Sequence, residues 1–63
     1  MAQFIAVTNE DGMRLYIAVS GIKIVAEKEN GKAFLETYVD KRFSSIGINC
    51  RESFDEVVAA INK

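Results

Sequence analysis

The chain lacks the residue types from which small proteins build disulfides or structural metal sites. Its 63 residues include one cysteine and no histidine, so an internal disulfide cannot form and a structural zinc site has no ligand set. Proline and tryptophan are absent as well. A domain of this size buries only about 60% of the surface that its unfolded chain exposes. We therefore expect self-association to supply part of the stabilisation.

Long apolar runs and a strong net charge are also missing. Nothing in the sequence approaches the roughly 18 consecutive apolar residues of a membrane span. The formal net charge of −1 argues against a whole-surface attraction to nucleic acid or to an anionic membrane. The first residues, Met1 to Phe4, lack the basic and apolar regions of a secretory signal. Together with the free Cys50, these features predict a cytoplasmic protein without a membrane partner.

Short apolar segments separated by turn residues make up the first three quarters of the chain. Hydrophobic residues account for 49% of the sequence, which predicts a packed core. Apolar and polar residues alternate in several of these segments, as expected of half-buried strands. The sequence predicts five strands, at residues 3–8, 13–19, 22–29, 32–39 and 46–50.

A helix is predicted only at the end of the chain. Ser53 followed three residues later by Glu56 is a capping box, in which each residue satisfies a backbone N–H of the other. Phe54, Val57, Val58 and Ile61 then form one apolar stripe. A helix this short is stable only when its stripe lies on something apolar. We therefore predict a single α+β domain over residues 1–63: a five-stranded antiparallel meander, with a curled, barrel-like sheet as the alternative, packed on one C-terminal α-helix.

Two dipeptides predict the register of the middle strands. Asn30-Gly31 favours a two-residue type I′ turn, which pairs Ile24 with Thr37 and places Ile24 on the apolar face. Ser20-Gly21, read in the same way, pairs Ile17 with Ile24. These registers place Ile17, Ile24, Leu35 and Ile48 in one layer beneath the helix.

The first hairpin has two possible registers. A two-residue Asp11-Gly12 turn would bury Phe4 and Ala6. A three-residue loop, Glu10 to Gly12, would instead bury Ile5 and Val7. We prefer the three-residue loop because it buries two β-branched residues and places Gly12 where a left-handed conformation is needed.

The face of the sheet opposite the helix is predicted to carry an aromatic patch. Its members are Tyr16, Val25, Phe34 and Tyr38. Because aromatic residues are enriched at interface cores, the patch favours contact with an identical subunit or with another protein. In a curled sheet the same side chains would form a second core layer. We prefer the interface, and predict a non-enzymatic interaction module that forms a homodimer.

A basic loop provides an alternative function. Lys41, Arg42 and Phe43, joined by Lys23 and Arg51, could hold a nucleic-acid backbone while Phe43 stacks on a base. A solvated charged loop is the simpler interpretation of these residues.

Catalysis is not predicted. Cys50 follows the apolar parity of its strand and is expected to pack as a small hydrophobe. No histidine can act as its base, and no catalytic, cofactor-binding or metal-binding motif is present.

The order of these pieces resembles that of the FlbD family of small, flagellum-associated bacterial proteins. The matching residues are Gly12, Tyr16-Ile17, Ile22, Ile48 and the run from Glu52 to Val58. The resemblance implies the strand-rich fold with a closing helix and an accessory role in bacteria. The succession of strands ending in a serine-led helix is also similar to part of the LytTR DNA-binding domain, which implies contact with nucleic acid.

Overall fold

The computed structural model describes residues 3–39 and 44–63. This part of the chain contains five strands that form two antiparallel sheets, β1 with β2 and β3-β4-β5, and one helix. The α+β class is confirmed, whereas the single five-stranded meander was wrong and the strands do not close into a barrel. The elements are β1 (Phe4–Thr8), β2 (Arg14–Ala18), a 3-10 turn (Val19–Gly21), β3 (Ile22–Glu27), β4 (Lys32–Tyr38), β5 (Ser45–Ser53) and α1 (Phe54–Ile61).

The sheet divides between β2 and β3, where a tight hairpin was predicted. The 3-10 turn stands in place of a two-residue turn, so Ile17 and Ile24 belong to different sheets. Gly21 does not have the positive φ that a type I′ turn requires. Its carbonyl instead accepts a hydrogen bond from Thr37 Oγ1 at 2.9 Å, which fixes the turn to β4.

The first hairpin has the three-residue loop, as we preferred. Asn9 N–H donates to the carbonyl of Met13 at 2.9 Å, and Gly12 has a φ of +87°. The Asn9 side chain accepts from the backbone N–H of Met13 at 2.9 Å, which stabilises the loop. Ile5 and Val7 are consequently buried, at 4% and 1% exposure.

The second hairpin also has a three-residue loop, so its predicted register was wrong by one residue. Lys28 N–H donates to the Lys32 carbonyl at 2.9 Å, and Gly31 has a φ of +83°. The Asn30-Gly31 dipeptide is as compatible with this three-residue loop as with a two-residue type I′ turn. In the three-residue loop, Gly31 takes the left-handed position that follows a type I turn.

The slip in register exchanges two side chains between the faces of β3. Val25 lies opposite Leu35 and packs against the core, whereas Ile24 lies opposite Glu36 and is 46% exposed. A further irregularity between Ile22 and Ile24 returns Ile22 to the core side. A one-residue shift has this effect because side chains alternate along a strand.

The core lies between the two sheets and α1. The predicted members Leu35 and Ile48 are buried in it, and Ile17 packs against it half-buried, but Ile24 does not take part. The buried hydrophobic residues are Ile5, Val7, Ala33, Leu35, Ile48, Cys50 and Val57. Leu35, with no exposed surface, is the largest side chain at the centre.

The helix begins as the sequence predicted. The Ser53 side chain accepts from Glu56 N–H at 3.1 Å, and the Glu56 carboxylate accepts from Ser53 N–H at 3.1 Å. Phe54 N–H donates to the Gly31 carbonyl at 3.0 Å, which ties the start of the helix to the second hairpin. In the described part of the chain no helix has both the length and the apolar character needed to cross a bilayer.

Candidate interaction surfaces

The outer face of the three-stranded sheet carries two of the predicted patch residues. Side chains alternate along β4, so Phe34, Glu36 and Tyr38 share this face. Lys23 Nζ lies 3.5 Å from a carboxylate oxygen of Glu36 and 5.5 Å from the centre of the Tyr38 ring. Ser45 Oγ donates to Glu36 at 2.8 Å. Much of this face is therefore occupied by its own polar contacts.

Phe34 is half-buried because its ring packs over a glycine of the neighbouring strand. A Cβ atom added to Gly47 would lie 2.7 Å from the ring atom Cζ and 2.9 Å from Cε1 of Phe34. The ring thus occupies space that any other residue at position 47 would need. Phe34 serves here to hold β4 against β5.

The other two predicted patch residues lie elsewhere. Val25 faces the core because of the corrected register. Tyr16 belongs to β2 and therefore to the two-stranded sheet. Of the four residues proposed as one patch, the structure brings only Phe34 and Tyr38 to the same sheet face.

A different aromatic pair is exposed on the β1-β2 hairpin. The rings of Phe4 and Tyr16 are stacked, with centroids 4.9 Å apart and planes inclined by 15°. Their exposed fractions are 43% and 73%. Ala18 lies opposite Phe4, and Ala6 lies opposite Tyr16, so both rings stand above small neighbours. We call these residues, Phe4, Ala6, Tyr16 and Ala18, the hairpin surface.

Phe4 was not among the predicted site residues, although the sequence contained a signal for it. The preferred loop of the first hairpin buries Ile5 and Val7, which turns Phe4 to the opposite face. The same register places it diagonally across from Tyr16, at a separation that aromatic side chains can bridge.

The outer edge of β2 has no strand beside it among residues 3–39 and 44–63. Hydrogen bonds from Asn9 N–H to Met13 and from Val19 N–H to Gln3, both 2.9 Å, show which pairs of the hairpin exchange bonds. Because bonded and non-bonded pairs alternate in an antiparallel ladder, the peptide groups of Arg14, Tyr16 and Ala18 point away from β1. The hairpin surface therefore adjoins a free strand edge.

The basic residues proposed for nucleic-acid contact are not gathered into one described site. Lys23 lies on β3 beside Glu36. Arg51 lies beside Gly12 and donates from Nη2 to the Glu10 carbonyl at 2.8 Å, at the tip of the first hairpin. Lys41, Arg42 and Phe43 lie outside the described residues.

Glu52 links the two sheets. Its carboxylate accepts from the N–H and the Oγ1 of Thr8, at 2.8 and 2.9 Å. Partial burial would raise the pKa of this carboxyl group, but the hydrogen bonds from Thr8 and the nearby charge of Arg14 outweigh it, so the pKa is lowered. The charged form of Glu52 is thus the one that fastens β1 to β5.

Cys50 has the environment of a packing residue. It is 3% exposed, and its Sγ lies 3.8 Å from the carbonyl of Ile48. Burial raises the pKa of the thiol and the charge of Glu52 raises it further, against a smaller lowering by Lys28. A raised pKa reduces the thiolate fraction, and with it the nucleophilicity. Among the described residues, no three His, Cys, Asp or Glu side chains are grouped as ligands for a metal ion.

Comparison of the chain with protein-family models, with curated proteins and with solved structures found no match. The resemblances to the FlbD family and to the LytTR domain therefore stay predictions. The placement of the aromatic, charged and edge groups is what bears on function.

Proposed function

We propose that the chain is a small, non-enzymatic interaction module that forms a homodimer through the hairpin surface. The observation that carries this proposal is the exposed stack of Phe4 and Tyr16. Aromatic rings are enriched at the cores of protein interfaces, and tyrosine is among the residues that dominate binding energy there. Covering both rings with a second copy would remove apolar area that the small core leaves in water.

The area available indicates a weak dimer. A standard interface takes about 800 Å² from each partner, which is a large share of the 4539 Å² that the described residues expose. The hairpin surface is smaller than that, since it consists of two aromatic rings and two alanines. We therefore expect a concentration-dependent equilibrium between monomer and dimer, with dissociation in the micromolar range or above.

We place this module in the reducing cytoplasm of a bacterium. The support is the free, buried thiol of Cys50, together with the resemblance to the FlbD family. The partner favoured by the exposed groups is a second copy of the chain. The nucleic-acid alternative has no specific support in the placement of Lys23 and Arg51.

Sedimentation equilibrium over a range of concentrations tests the proposal. The wild-type chain should approach twice its 7.0 kDa mass as concentration rises. Tyr16→Glu should weaken association at least tenfold, because it removes a ring and places like charges across the interface. The variant should keep its circular dichroism spectrum, since Tyr16 is 73% exposed.

Tyr38→Glu is the matched control, because Tyr38 is an exposed tyrosine on the other sheet. It should associate as the wild type does. A wild-type chain that stays monomeric at millimolar concentration would refute the homodimer. A Tyr38→Glu variant impaired as strongly as Tyr16→Glu would refute the hairpin surface as its site.

A further inference from the structure

We infer that two copies join by antiparallel pairing of their β2 edges, with Tyr16 of each copy opposite Tyr16 of the other. This inference rests on the proposed homodimer and specifies how its two chains meet. The free edge of β2, and not only the rings above it, is then the recognition element. The pairing would turn two separate two-stranded sheets into one continuous sheet of four strands.

The backbone of β2 is self-complementary in this register. Its outward peptide groups belong to Arg14, Tyr16 and Ala18. Centring the pair on Tyr16 places Tyr16 opposite its counterpart and Arg14 opposite Ala18 on either side. Tyr16 would exchange two hydrogen bonds with its counterpart, and the Ala18 N–H of each copy would donate to the Arg14 carbonyl of the other, while the Ala18 carbonyl belongs to the 3-10 turn. A shifted register would leave some of these outward groups unpaired.

The side chains of β2 fit the same register. On the core side, half-buried Leu15 would lie opposite half-buried Ile17 of the other copy, which extends the apolar layer across the junction. On the outer side, the two Tyr16 rings would meet between the two Phe4 rings. Arg14, the one charged residue of β2, would face Ala18, so no like charges lie opposite each other.

The edge of β2 carries few of the features that keep strand edges apart. Proteins protect free edges with charged side chains, prolines or bulges. The β1-β2 ladder runs from Phe4–Ala18 to Thr8–Arg14 without a bulge, and its edge strand carries no proline and one charged side chain, Arg14, at its first residue. A regular edge with a single terminal charge is suited to pairing with a strand, and the symmetry of the register favours an identical one.

The Ala18→Pro variant tests the β2 edge without disturbing the fold of the monomer. The φ of Ala18 is −68°, close to the value that proline imposes, and its N–H points away from β1. The monomer should therefore fold with an unchanged circular dichroism spectrum. The dimer should weaken at least tenfold, because proline removes an intermolecular donor and its ring blocks the edge. Ala18→Ser keeps the N–H, so its loss of dimer affinity should be much smaller than that of Ala18→Pro.

Disulfide trapping reports the register directly and leaves Tyr16 intact. In the inferred dimer the Cα atoms of Arg14 and Ala18 from different copies lie about 5.5 Å apart, within the range that a disulfide spans. Two Arg14 residues, or two Ala18 residues, lie roughly 14 Å apart along the strands. An equimolar mixture of the Arg14→Cys and Ala18→Cys variants should therefore cross-link under mild oxidation, while each variant alone should not. Buried Cys50 does not compete.

The outcomes distinguish this inference from the homodimer itself. If Tyr16→Glu dissociates the dimer while Ala18→Pro leaves it intact, the chains meet through their rings and the edge pairing is wrong. Cross-linking of Arg14→Cys with itself would equally overturn the register. A monomeric wild type would overturn both proposals together.

Discussion

Glu52 offers the sharpest test of how the two sheets are held together. Its carboxylate receives two hydrogen bonds from Thr8, which join β1 to β5 near the bridge between Asn9 and Cys50. Glu52→Gln keeps the shape of the side chain and removes its charge. The variant can still accept from one donor of Thr8, but without the strength of a charged acceptor.

The expected loss of stability follows from the two hydrogen bonds that Glu52 accepts from Thr8. A hydrogen bond to a charged group contributes about 1.5–3 kcal/mol, against about 0.5–1.5 kcal/mol for a neutral one. Because Glu52 is partly exposed, solvent screens part of this difference. We expect Glu52→Gln to lower the free energy of unfolding by about 1–2 kcal/mol at neutral pH. In a domain of this size each 1 kcal/mol lowers the melting temperature by roughly 4–8 °C.

The effect should depend on pH in one direction. The pKa of Glu52 is lowered in the folded chain, so the unfolded state binds its proton more readily. The stabilisation is then complete above the unfolded pKa of about 4.3 and is lost as the pH falls through the folded value. The difference between wild type and Glu52→Gln should be largest at neutral pH and should shrink toward pH 3.

Urea denaturation at fixed ionic strength, in steps from pH 7 to pH 3, measures this difference. Glu29→Gln is the matched control, since Glu29 is exposed in the second hairpin loop and its carboxylate accepts no hydrogen bond among the described residues. Its effect should be within a few tenths of a kcal/mol. A Glu52→Gln difference that is the same at both ends of the pH range would contradict the charged clamp.

Two further predictions concern packing around β5. Gly47→Ala should destabilise the wild type by about 1 kcal/mol, since its Cβ would meet the Phe34 ring at 2.7 Å. In a Phe34→Ala background the same change should raise the free energy of unfolding by about 0.4–1 kcal/mol, because alanine restricts the unfolded chain more than glycine does. If thermal unfolding shows the same direction of change in both backgrounds, the contact between position 47 and Phe34 is refuted. Native Cys50 should resist alkylation by iodoacetamide and react quickly in urea, because it is 3% exposed. Rapid labelling of the folded chain would contradict its burial.

The parts of the fold that the sequence predicted correctly are those set by neighbouring residues. The capping box lies within four residues, from Ser53 to Glu56, and its hydrogen bonds form as expected. The sequence favours the loop ending at Gly12 because this loop buries Ile5 and Val7, and both are buried. In each case the local rule and the demand of the core agree.

The second hairpin shows where local rules were insufficient. Asn30-Gly31 is compatible with a two-residue and a three-residue loop, and the choice decides which of Ile24 and Val25 is buried. Both alternatives leave an apolar residue outside, so periodicity could not separate them. The β-bulge between Ile22 and Ile24 then lets Ile22 and Val25 share the core side, which strict alternation does not allow.

The division into two sheets depends on contacts between residues distant in sequence. Thr37 Oγ1 holds the Gly21 carbonyl, and Asn9 bridges to Cys50. Neither contact can be predicted from the local sequence of the segments that it joins. A prediction built from consecutive hairpins therefore missed the break.

Contacts between residues distant in sequence also decide which aromatic side chains are accessible. Phe34 and Tyr16 have the same parity relative to the predicted sheet, yet Phe34 is half-buried and Tyr16 is 73% exposed. The difference lies in what each ring meets across the strand: Phe34 covers Gly47, whereas Tyr16 stands beside Ala6 and the ring of Phe4. A glycine gives an aromatic ring a place to pack within its own sheet. The exposed pair therefore arises on the hairpin that has no such glycine and no third strand to cover its edge among the described residues.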